Sequence, residues 1–78
     1  MSRLNEWVKI SEKMKEQYPK GSRVRLLKMN YEKAPPIGTM GTVKGVNAMG
    51  SILVNWDNGS ALPIVYEEDA CEIVTEEG

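Results

Sequence analysis

Between Tyr18 and Gly21 the spacing of apolar residues changes, and that change limits the possible folds more than any other feature. Before it, Leu4, Trp7, Val8, Met14 and Tyr18, with Ile10 at the margin, recur on one side at a helical period. Glu6, Lys9, Glu12, Lys13, Lys15 and Glu16 fall mostly on the other side. The spacing predicts an amphipathic helix over residues 2–18, with Ser2 as N-cap and Glu12–Lys15 or Glu16–Lys20 pairing along it. Pro19 disfavours helical geometry at Tyr18, and Gly21 supplies a flexible turn position. A helix this short is not stable alone in water. Its apolar stripe must cover an open side of the β-like remainder of the chain, fold on a partner, or pair with a second copy.

After Gly21 the period is two. In Ser22–Met29, Val24 and Leu26 point one way and Arg23, Arg25 and Leu27 the other, a strand with one face inward. Asn30–Gly38 is a loop, because Pro35-Pro36 forbids regular pairing. Thr39–Val46 is a second strand whose glycines at 41 and 45 suit a bulge or tight bend. Asn47–Gly50 is a turn, and Ser51–Trp56 a third strand with Ile52, Val54 and Trp56 on one face. Asp57-Asn58-Gly59 then turns the chain, either as a two-residue loop or with Gly59 in the left-handed position of a longer one. Ser60–Tyr66 is read as a fourth strand, edge or bulged at Pro63; Glu67–Ala70 as one helical turn; Cys71–Val74 as a fifth strand; and the last residues as frayed. Short strands this close together, dense in glycine, predict a mainly β fold: a small five-stranded barrel over residues 20–75, behind a helix and turn at 1–19.

Seventy-eight residues make one domain with little room for a deep pocket beside its core. No apolar run is long enough to span a membrane, and the first ten residues show no apolar core or cleavage site of a signal peptide. The single cysteine, Cys71, excludes an internal disulfide and fits a reducing compartment, so a cytoplasmic location is expected. All ten Lys and Arg lie at or before Lys44, which gives the first 45 residues a charge of +6 and the remainder −7. Such asymmetry points to an acidic or nucleic-acid partner, or to two halves that fold together and offset each other; the second is favoured.

Tyr18-Pro19-Lys20-Gly21, Arg23-Val24, Pro36-Ile37-Gly38-Thr39, Gly41-Thr42-Val43 and Trp56-Asp57-Asn58-Gly59-Ser60 together resemble the SH3-like barrels. More narrowly, the run from Tyr18 to Val74 is similar to a family of short SH3-like proteins of Firmicutes, their phages and conjugative elements, classed as a domain of unknown function. The segment from Gly41 to Ser60 also resembles a peptide-binding barrel repeat of some eukaryotic ubiquitin ligases and the KOW motif of ribosomal and transcription factors. The resemblance implies a barrel fold and no particular chemistry.

With no histidine, neither a Ser-His or Cys-His nucleophile pair nor the usual zinc ligand set can form. Glu67, Glu68, Asp69 and Glu72 lack the spacing of a calcium loop and read as a solvated acidic surface, and Cys71 as a small buried hydrophobe. The Gly38–Gly41 GxxG sequence lacks the flanking helices of a phosphate-clamping loop. No catalytic activity, metal or other cofactor is expected. Trp56 either fills the end of the core or keeps its edge open at the barrel's rim; the core is favoured. By analogy with SH3-like modules, the expected protein-binding surface is the loop Tyr31–Ile37, including Pro35 and Pro36, with Trp56 and Tyr66. The expected function is non-catalytic protein binding, as an accessory or regulatory module of a bacterial mobile element or phage. Two alternatives stand beside it. One is nucleic-acid binding through Arg23, Arg25, Lys28 and Lys44, unless the arginines pair with the C-terminal acids. The other is homodimerisation through Leu4, Trp7 and Met14.

Overall fold

The structure, a computed structural model, describes residues 3–75, with side chains from residue 6 onward. Helix α1 (Arg3–Gln17) leads into strands β1 (Arg23–Lys28), β2 (Met40–Val46), β3 (Ile52–Trp56) and β4 (Ala70–Ile73). The expected N-cap at Ser2, the frayed tail beyond Thr75 and the side chain of Leu4 lie outside the described residues. No helix among them is long and apolar enough to cross a membrane.

The strands form one antiparallel sheet in the order β3-β2-β1-β4. The protein is mainly β, as expected, but the sheet has four strands and is open, where five strands closed into a barrel were expected. The missing strand is Ser60–Tyr66. Both of its ends hold register with β3: Trp56 N–H donates to the Ser60 carbonyl at 2.9 Å, and Ile52 and Ile64 exchange a bond pair of 2.9 and 2.8 Å. Between them Leu62 leaves the ladder. Its carbonyl accepts from the Trp56 indole Nε1 at 2.8 Å, and its N–H faces the Ser60 hydroxyl at 3.4 Å. A side chain of β3 thus takes the acceptor that the β3 backbone would use, and only an isolated bridge at Ile64 remains.

Alternation places the core as the period-two pattern predicts. Val24, Leu26, Val43, Ile52, Val54, Trp56, Ile64 and Cys71 are buried together, while Arg25 and Leu27 are exposed. The ladder shifts register between Val43 and Gly45, the bulge the glycine suggested. Trp56 N–H to Ser60 O and Gly59 N–H to Trp56 O close the hairpin turn around Asp57–Gly59, with Gly59 at φ 93°, so the longer of the two turn forms is present.

The expected helical turn at Glu67–Ala70 is a tight turn instead. The Val65 carbonyl accepts from both Glu68 and Asp69 N–H, the Asp69 carboxylate accepts from Val65 N–H at 2.9 Å, and Glu67 sits at φ 67°. A left-handed residue cannot continue a right-handed helix.

Helix α1 packs on its own chain. Ser11 is buried and donates from its hydroxyl to the Asn47 carbonyl at 2.9 Å; Met14 and Tyr18 pack against the core; and Tyr18 Oη reaches the Cys71 carbonyl at 3.3 Å. The turn after β2 accepts the helix closely because Gly50 has no side chain: a Cβ there would lie 2.6 Å from Ile10 Cγ2. Trp7 is on the same helical face as Ser11 and Met14, yet it stays 36% exposed. The buried stripe therefore covers the sheet from Ile10 onward, and the N-terminal turns overhang it.

Candidate functional site

The residues expected to form one binding surface separate into distinct places. Trp56 is 3% exposed, with its indole spent on Leu62, so it is a core residue and not part of an open rim. Pro35 is buried, whereas Pro36 and Ile37 are exposed, Ile37 at 62%. The loop carrying them returns to β1 through the Gly38 N–H to Leu26 O bond and the Leu26 N–H to Thr39 O bond. Tyr31 is 54% exposed and lines a cleft of about 280 Å³ with Met29, Leu62, Pro63, Val65, Glu68 and Asp69. Tyr66 lies in a different cleft, beside α1.

The Tyr31 cleft follows directly from the departures from regular β structure. The Trp56 indole holds Leu62 out of the ladder, and the Asp69 carboxylate pins Val65, so Leu62, Pro63 and Val65 present apolar surface opposite Met29 and Tyr31. Glu68 and Asp69 add an acidic margin. Of the residues lining this cleft, Tyr31 was expected from the sequence to lie on a binding surface, and Leu62, Pro63 and Val65 were not. Their one signal was Pro63 in an otherwise β-like run.

The basic face is largely neutralised at its two arginines. Arg23 makes a bidentate pair with Asp57, at 3.0 and 2.6 Å, and also donates to Thr42 Oγ1 at 3.0 Å; Arg25 pairs with Glu72 at 2.8 Å. The Arg23 hydrogen bond holds the Asp57 carboxyl below the usual carboxylate range. Lys28 and Lys44 are exposed. Among the described residues, no cluster of three His, Cys, Asp or Glu could hold a metal ion.

Cys71 is buried, and that burial pushes its thiol from the ordinary value near 9 up to about 11. The Tyr18 hydroxyl is also raised, first by burial and then by the neighbouring Cys71. The unfolded chain releases these protons first. The resulting stability is present below pH 9 and is lost as pH rises toward 11. Urea midpoints should therefore fall across that interval, and Cys71→Ala should flatten the decline. At pH 8, iodoacetamide should alkylate Cys71 at least about tenfold more slowly in the folded chain than in urea. Equal rates would contradict this burial.

No curated protein matches the chain. A family model does match residues 8–74 of the 78, from within α1 through β4, and by that match the chain belongs to the family described as a domain of unknown function, DUF4314.

Proposed function

We propose that this protein is a non-catalytic, SH3-like binding module that takes an extended segment of a partner protein in the Tyr31 cleft. We further propose that it serves as an accessory or regulatory protein of a bacterial mobile element or phage, a reading supported by its sequence resemblance. The observation that carries the binding reading is Tyr31: a half-exposed phenol beside an apolar floor of Met29, Leu62, Pro63 and Val65. Amphipathic aromatic rings at the edge of apolar grooves contribute large contact area while keeping a polar tip in water. The arginine pairs favour protein over nucleic acid as the partner, because phosphate binding draws on uncompensated positive charge.

Selection from a displayed peptide library tests the reading. The wild-type chain should enrich peptides with an apolar anchor, and Tyr31→Ala should weaken them about tenfold, roughly 1.4 kcal/mol. Its melting temperature should stay within about 3 °C of wild type, since exposed substitutions rarely change stability by more than about 0.5 kcal/mol. Undiminished peptide binding by Tyr31→Ala would refute the assignment of this cleft.

A further inference from the structure

A second cleft, of about 760 Å³, lies between the overhanging end of α1 and the turn after Val65, lined by Glu6, Trp7, Lys9, Ile10, Tyr66 and Glu67. It shares no lining residue with the Tyr31 cleft, because the turn divides them: Val65, Glu68 and Asp69 face one, Tyr66 and Glu67 the other. We propose that this second cleft is a guanidinium site, which receives an arginine side chain of a partner protein.

Two aromatic residues and two carboxylates meet at one cleft, with Ile10 as apolar floor. The ion pairs among the described residues are Arg23–Asp57 and Arg25–Glu72, so neither Glu6 nor Glu67 pairs with a described cation; Lys9, which also lines the cleft, offsets one of the two carboxylates without pairing with either and leaves the lining net acidic. Planar guanidinium stacks on aromatic faces and bonds carboxylates in a fork, which suits this set better than a compact ammonium. Trp7 lies on the face that packs against the sheet further along α1, yet here it stays open to solvent. Glu67 holds φ 67°, the one described non-glycine residue with positive φ. That conformation is unfavourable for an ordinary side chain, and it sets Glu67 at the same cleft as Trp7 and Tyr66.

The test is a titration of ¹⁵N-labelled full-length protein with N-acetyl-arginine amide, against N-acetyl-citrulline amide as the neutral isostere. The Trp7 indole N–H and the Tyr66 and Glu67 amides should shift saturably with the arginine probe, half-maximal at about millimolar concentration. The citrulline probe should bind at least about tenfold more weakly. The buried Trp56 indole serves as internal reference. Trp7→Leu should abolish the response. Glu67→Gly, which relieves the backbone while removing the carboxylate, should weaken it about threefold in a domain that is no less stable. Equal or non-saturating responses to the two probes would overturn the proposal. So would shifts of Trp7 on dilution without probe, which would make a second copy of the chain the occupant. Tyr31→Ala should leave the titration unchanged, so this site and the peptide cleft stand or fall separately.

Discussion

Replacing Gly41 by alanine should destabilise the protein by about 3 kcal/mol or more, at the upper end of the range for overpacked cores. Gly41 lies in β2 opposite Trp56, and an added Cβ would stand 2.6 Å from Val54 Cγ1, 2.7 Å from Trp56 Cε3 and 3.0 Å from the Asn55 carbonyl. None of these neighbours has room to move. Val54 is fully buried, the Trp56 ring is anchored at Leu62, and the third contact is backbone. A domain of this size has about 4–12 kcal/mol in total, and each kilocalorie is worth roughly 4–8 °C. Urea unfolding should show the loss directly, with a melting temperature lower by about 15 °C. A change below about 1 kcal/mol would mean that β2 and β3 are not packed as described.

Trp56→Ala should be of similar size, about 3–5 kcal/mol, since it removes the bulkiest side chain of the core cluster. Trp56→Phe separates volume from hydrogen bonding. It keeps most of the ring's bulk but removes the donor to Leu62, and a partly buried carbonyl left short of a donor costs about 1–3 kcal/mol. The phenylalanine variant should stay folded yet lose peptide binding at the Tyr31 cleft, because Leu62 and Pro63 would be free to rejoin β3. Circular dichroism and the binding assay together check this. A variant that loses less than about 0.5 kcal/mol and binds peptide normally would show that the indole bond does not shape the cleft.

These two positions also show what could be read from the chain in advance. The alternation in Arg23–Lys28 and Ile52–Trp56 identified the inward residues, because a half-buried strand leaves a local period-two signature. The run from Ser60 to Ile64 is β-like in composition, with Pro63 as the one mark against it, and keeps register at both ends, yet it is not a strand. The reason is a bond from an indole six residues away, which no window of spacing or propensity registers. Glu67 misled in a similar way: locally a good helix former, it takes a left-handed conformation in the turn that Asp69 closes onto Val65. That turn sends Tyr66 to the α1 side and leaves Tyr31 with partners from a segment expected to be regular. Tyr31 itself was legible as an aromatic in a proline-bearing loop. Trp56 was legible as inward, but not as the residue that shapes the cleft from behind.

The contact between Tyr18 and Cys71 has a consequence for solubility. β4 ends the sheet, and the Val74 N–H to Arg23 O bond sets the alternation so that the Cys71 carbonyl faces away from β1. A bare acceptor at such a margin is a template on which a neighbouring molecule can add a strand. Here a phenol from the end of the helix already occupies it. The end of the helix thereby blocks one outward acceptor of β4, and losing that contact would return the acceptor to the sheet margin, where strand addition begins.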